Sequence, residues 1–401
     1  MRMWALVVLA ACSKLPSPGN PQTPAQRAAA ATAVAELRAA RFEQAASEAD
    51  AVLKADPRNS LAAAVRAFGR YQGAMRQLVL DFTTVAAGVT RTGSINHEYM
   101  RSSLEKTVGA LAEVDRDLGV AAADEDFSLE LCLACWTHDW NRNGRIDRSD
   151  ELLFQIEVDA NGNEIPEGDP RRKPTFHFDV GDVHWARAMV SFQAAVLDIL
   201  LAYRWNELDR LMALGRDEPQ SFTIHVGDAA RARAARDWIL AGCDHADRAR
   251  RAYLAETDDD REWVPNPHQK NHPVPLEVDD ALFETWAGVT GDARKLLQSK
   301  TGISLRDAAS ILDSRIAMLV PDAYIDVGAM FERPSDIVLD TKERGKTTDS
   351  LAAIFHGLLG NGYRDHMEPS PLVARLKKMA GELDRGEDTF DRKMRYLFWL
   401  N

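Results

Sequence analysis

The chain has 401 residues, 45% of them hydrophobic and 27% charged, which is ordinary globular composition and ample for one large or two moderate domains. A formal charge of −12 and a pI near 5.4 exclude nucleic acid as the expected partner, because a phosphate backbone calls for a basic face, but are compatible with divalent cations. Strand signals are few and helical periodicity recurs throughout, so the expected fold is mainly α, a multi-helix body with a small β-hairpin.

Residues 1–11 carry a short basic start and an apolar stretch too short to span a bilayer, the pattern of a signal peptide. Leu9-Ala10-Ala11-Cys12 resembles the bacterial lipoprotein box, and the resemblance implies cleavage before Cys12, which would then carry the acyl chains. Several acyl chains anchor a domain stably where one holds it only marginally. The bland alternatives are an ordinary cleaved signal with an incidental cysteine, or an uncleaved anchor. Ser13, rather than Asp, after the cysteine favours sorting to the outer membrane of a Gram-negative cell. Residues 12–24 form a Pro-rich tether without core-forming side chains. No later segment is expected to reach the roughly 18 to 20 apolar residues of a transmembrane helix. The remainder is therefore expected in an oxidising, calcium-accessible envelope compartment.

A helical domain is expected over 25–256. Its start, Ala35 through Asn59, resembles a tetratricopeptide repeat, with Phe42, Ala45 and Pro57 at matching offsets and Ala49 where that family prefers a larger aromatic. One full repeat and the start of a second, Ser60 to Tyr71, are visible. About three stacked repeats make an independent solenoid, so a repeat-like helical hairpin is the better description. Residues 98–118 and 124–138 then read as helices, the latter entering the twelve-residue loop Asp139 to Asp150.

That loop carries oxygen-bearing side chains at its first, third, fifth, ninth and twelfth positions and glycine at its sixth, as wrapping a calcium ion requires. It resembles an EF-hand, and more closely the dockerin variety, because it closes on Asp150 where an ordinary EF-hand has a bidentate Glu. The resemblance implies ligands from the side chains of Asp139, Asn141 and Asn143, the backbone carbonyl of Arg145, a direct or water-mediated contact of Asp147, and Asp150, with Glu151 able to replace it. Three anionic ligands suit a weak site, on the order of 10⁻⁴ to 10⁻³ M, as in extracellular modules. The bland reading is a solvated Asn/Asp/Gly turn.

Phe154, Ile156 and Val158 alternate before Asn161-Gly162, so 153–166 reads as a β-hairpin rather than a second calcium loop. Phe176, Phe178 and Val180 also alternate and are expected to add a strand to it. Cys132 and Cys135 sit in an apolar run and lack the context of a redox, haem or zinc motif, which leaves them buried or locally bridged. The longest helical run is 183–213, with Asp182 at the N-cap position and a single charge, Asp198, between Met189 and Tyr203, so it is expected to be the central core helix. Further helices are expected at 228–256, 279–299, 304–319, 347–359, 371–385 and 388–399, the later ones forming a C-terminal helical region over 278–401. Between the two regions, 257–277 is an irregular Pro/His/Asn-rich connection with the acidic run Asp258-Asp259-Asp260.

The leading functional expectation is a non-enzymatic, calcium-binding envelope lipoprotein whose helical body presents a surface to another envelope protein, with Ca²⁺ its one cofactor. The runner-up is a metal-dependent envelope hydrolase centred on His177, Asp179 and His184, since His177 and Asp179 would share one face of a strand. His268 and His272 raise the same question in a less ordered setting. A third reading is a calcium-independent structural lipoprotein with an empty loop.

Overall fold

The computed structural model describes residues 22–139, 144–148, 150, 154–159, 163–206, 209, 221–259, 261–274, 278–312, 317–318, 320–340 and 348–383. The chain is mainly helical, with small antiparallel sheets of two or three strands, as expected. Cys12 and the 388–399 helix lie outside the described residues.

Four helices open the fold: α1 (Pro24–Arg38), α2 (Phe42–Ala55), α3 (Ser60–Thr92) and α4 (His97–Ala121). Their starts are written locally. Thr23 and Gln26 form a reciprocal capping box with Pro24 at the first helical position, and the Asn59 and Asn96 side chains accept from backbone N–H groups of α3 and α4. Phe42, Ala45 and Ala49 are buried on α2, which packs on α3, and the helices approach so closely that a Cβ at Gly69 of α3 would stand 2.6 Å from Phe42 O. Arg66 of α3 then ties the layers together, donating to Asp117 of α4 at 2.6 and 2.9 Å and to Asp50 of α2 at 2.7 Å.

The helix expected at 124–138 is not formed. Phe127, Leu129 and Leu131 are buried while Ser128 and Glu130 are exposed, a period of two, and Leu129–Leu131 forms β1. A disulfide joins Cys132 to Cys135, with Cα atoms 5.2 Å apart, and a short 3₁₀ turn over Leu133–Cys135 replaces the rest of the helix. The described arms of the 153–166 hairpin pair as expected, with Val158 bridging Glu164 and Ile165 N–H donating to Glu157 O at 2.8 Å, while its Asn161-Gly162 turn lies outside the described residues. Strand β2 (Phe176–Phe178) does not extend it. Its partner is β1, antiparallel, with Glu130 opposite His177. The nonlocal ladder overrides the expectation that neighbours in sequence pair.

Helix α5 (Val180–Ala202) is the central element, packed between α4 and α6 (Ala229–Ala255). It begins earlier than expected, because Asp179, not Asp182, is the N-cap, and it ends at Ala202 where Tyr203–Arg204 becomes β3 beside β4 (Ser221–Val226). By length and composition α5 could cross a membrane, contrary to the sequence expectation. Half of its most apolar stretch is buried inside the fold, and its charges are partnered across helices, Arg187 with Asp115 at 2.8 Å and Asp198 with Arg231 at 2.9 Å. Gly242 of α6 allows the tight α5–α6 contact, for a Cβ there would stand 2.5 Å from the Phe192 ring.

The irregular connection after α6 is part of the interior. Trp263 and Val274 are fully buried within the main core, which runs from Ala30 to Phe283. Asn266 and Gln269 satisfy the backbone of this segment and of the α6 end: Asn266 Nδ2 donates to Tyr253 O at 2.8 Å and Gln269 Nε2 to Asp258 O at 3.1 Å. Beyond it lie α7 (Asp280–Leu297), α8 (Leu305–Leu312), α9 (Val327–Glu332), α10 (Thr348–Leu359) and α11 (Leu372–Leu383). Strand β7 (Ile337–Asp340) completes a β3-β4-β7 sheet, and β5 (Ile303–Ser304), β6 (Tyr324–Ile325) and β8 (Tyr363–Arg364) form another. Leu305, Val320, Ala323 and Tyr363 make a small separate core here.

Candidate functional site

Within the 139–150 loop the described residues are Asp139, Gly144 to Arg148 and Asp150; Asn141, Asn143 and Glu151 lie outside them. Gly144 takes φ +83°, a left-handed turn that glycine adopts without strain, and its N–H donates to Asp139 Oδ2 at 2.9 Å. At the far end the Asp147 N–H donates to Asp150 Oδ2 at 3.0 Å, and Asp150 is buried while Arg145 is exposed. Among the described residues no helix enters the loop. It is approached instead from β1 through the disulfide and Trp136, whose ring meets Phe154 of the hairpin edge to face at 5.8 Å.

The second concentration of polar groups surrounds the start of α5. Asp179 Oδ1 accepts from Gly181 N and Asp182 N, and the Asp179 N–H donates to Asp182 Oδ2 at 3.0 Å. Tyr253 OH donates to Asp182 Oδ1 at 2.9 Å. Burial, with the charge of Asp179 beside it, drives the Asp182 carboxyl well above its ordinary range, and burial raises the Tyr253 phenol. Glu256 at the end of α6 is pushed up to about 11 by burial, by its contact with Asp179 and by the charges of Asp179, Glu262 and Asp182. Asp182 also lines an apolar cavity of about 80 Å³, walled by α3, α4, β1 and α5 residues that include Tyr71, Leu118, Leu129 and Val190.

The hydrolase triad His177, Asp179 and His184 does not assemble. Asp179 is spent on the helix cap, and His184 stacks on His245 of α6, with ring centroids 5.5 Å apart. Burial and the positive charge of Arg187 lower His184 to about 4 and His245 to about 3, and the buried Nδ1 of each lacks a hydrogen-bond partner. His272 Nδ1 lies 2.7 Å from Val274 O, within its own loop.

His177 instead meets two residues that the sequence reading did not single out as ligands. His177, Asp258 and Glu262 each offer a ligand atom, and those atoms all lie within 4.8 Å of one another. Glu262 is buried, His177 is half-buried and Asp258 is exposed, so the group faces inward but reaches the surface. The sequence did hold a partial signal, an acidic run inside a long irregular segment, but its pairing with β2 is a tertiary event. Cys243 is a buried thiol raised to about 11 by burial, which argues against reactivity. The chain matches no protein-family model, no curated protein and no solved structure.

Proposed function

We propose that the chain is a calcium-binding lipoprotein of the cell envelope, anchored through acylated Cys12, whose helical body serves as an interaction scaffold for another envelope protein. The observation that carries the reading is the folding of the 139–150 loop onto its own carboxylates, with Gly144 turned at the sixth position toward Asp139 and Asp150 buried at the twelfth. Calcium held there would offset the mutual repulsion of Asp139, Asp147 and Asp150 and fix the disulfide-bearing segment to the hairpin. A structural ion fits the absence of an incoming helix, since there is no helix pair for the ion to open. The tetratricopeptide-like start supports a scaffold. So does α3, which at 33 residues is about 50 Å long and carries exposed Val79 and Phe82 one turn apart, with exposed Tyr99 of α4 bonded to Asp81 beside them.

Thermal unfolding of the full-length protein tests the calcium part. At ten to a hundred times the dissociation constant, calcium adds about 1.4 to 2.7 kcal/mol, read as a higher midpoint than in chelator. An identical midpoint in both removes calcium from the account. One observation favours a second reading, a metal-dependent hydrolase: the approach of His177 to Asp258 and Glu262. Asp179 and His184 have no part in that version.

A further inference from the structure

We propose that His177, Asp258 and Glu262 form a binding site for a divalent first-row transition ion of the zinc type, separate from the calcium loop. The donor set is one imidazole and two carboxylates, with ligand atoms mutually within 4.8 Å, close enough to share one ion at ordinary coordination distances. An imidazole in the set selects zinc, cobalt or iron over calcium, which prefers oxygen alone.

The site is built from two segments fixed to each other. Strand β2 carries His177, whose N–H donates to Arg261 O at 3.3 Å, and a parallel bridge sets His177 beside Glu262. Arg261 takes φ +71°, a left-handed conformation unfavourable for a non-glycine residue, and Glu262 beyond it is buried. On the other side of the turn, Asp259 Oδ1 accepts from Lys270 N at 2.9 Å and Asn271 N at 2.7 Å, while Gln269 holds the Asp258 carbonyl. The carboxylates are thus positioned by a segment whose backbone is tied down, not by a loose loop. Ser128 Oγ stands 2.7 Å from His177 Nε2 and helps to orient the ring.

A cation would offset the two carboxylates that this arrangement brings to one imidazole. Arg261, the nearest basic residue in sequence, is directed to Glu130 at 2.8 Å. Exposed Asp258 gives an entry path, and three protein ligands leave a coordination position for water.

The test uses the full-length protein purified in detergent and stripped with chelator. Zinc stoichiometry is measured after dialysis, and Co²⁺ is titrated as a spectroscopic probe, its visible absorption reporting nitrogen and oxygen ligation. One zinc per chain is expected, with His177→Ala and Asp258→Asn each weakening Co²⁺ binding by more than about tenfold. Asp258 is exposed, so its variant decides the matter should His177→Ala fail to fold. Asp139→Asn in the calcium loop should leave cobalt binding unchanged while abolishing the calcium-dependent melting shift, which separates the two proposals. A wild-type protein that retains neither zinc nor cobalt, or an Asp258→Asn variant that binds cobalt as wild type does, overturns the site.

Discussion

The stacked pair His184 and His245 should make the fold acid-labile well above the range in which surface carboxylates titrate. Both rings are neutral in the folded state, at about 4 and about 3 against an ordinary 6.5, first because they are buried and then because Arg187 and Arg248 repel a positive ring, with Arg251 adding to this at His184. Asp115 works the other way on His245, but is already engaged with Arg187. The sign follows from proton counting. Between the folded and unfolded values the unfolded chain binds more protons, so the contribution is intact above about pH 6.5 and lost as pH falls toward 4. pH 5 lies about 1.5 units below the ordinary 6.5 and above both folded values, so each ring costs roughly 2 kcal/mol there at about 1.36 kcal/mol per unit. His184 is partly exposed and its share is screened, so about 3 kcal/mol for the pair is the working figure. Asp182 and Glu256 have raised values and oppose this, for their penalty is relieved on acidification. A raw midpoint would mix the two effects. The assay is therefore urea unfolding of wild type and of His184→Leu/His245→Leu at pH 8 and pH 5. At pH 8 the variant should match or exceed wild type, since it removes two buried Nδ1 atoms without partners. At pH 5 it should be more stable by about 3 kcal/mol. A wild-type-to-variant difference that is the same at both pH values refutes the reasoning.

Gly242→Ala places a methyl 2.5 Å from the Phe192 ring at the α5–α6 crossing and should destabilise the fold by about 1 to 3 kcal/mol, measured by urea unfolding. Cys12→Ala should release the protein from membranes into the soluble fraction on cell fractionation, and continued membrane retention would remove lipidation from the account.

Helices whose start is set by side chains within a few residues were the legible part of the fold. α6 and α7 fall where periodicity and the Asp228 and Asp279 caps put them. The errors come where distant pairing decides. Leu129 to Trp136 reads as an apolar run, broken only by Glu130, that could line a helix, but β1 is committed by its ladder with β2 and by the disulfide, neither of which a local pattern contains. Asp182 reads as the cap from the sequence, but the reciprocal box uses it at the third helical position, with Asp179, three residues earlier, as the true cap. His245 had a signal that went unread: Gly242, Cys243, Ala246 and Ala249 mark the buried stripe of α6, and His245 lies on it. The His177 site was half legible. The histidine was singled out, while Asp258 and Glu262 belong to a connection whose burial depends on Trp263 reaching the core.

Both proposed metal positions branch from one small element. β1 leads through the disulfide into the 139–150 loop, and β2, its ladder partner, carries His177. Glu130 on β1 stands opposite His177 and holds Arg261, so the strand pair also orients the turn that delivers Glu262. The two positions nevertheless call for different ions. The loop offers oxygens from a single stretch of chain, which tolerates the loose shell of calcium; the other joins an imidazole to carboxylates from separate segments and demands a smaller, more directional ion. A cation in the loop would restrain the Leu131 end of the ladder and a cation at His177 its middle pair. Because the ladder is only three residues long, its order should depend on both ions more than the helices do.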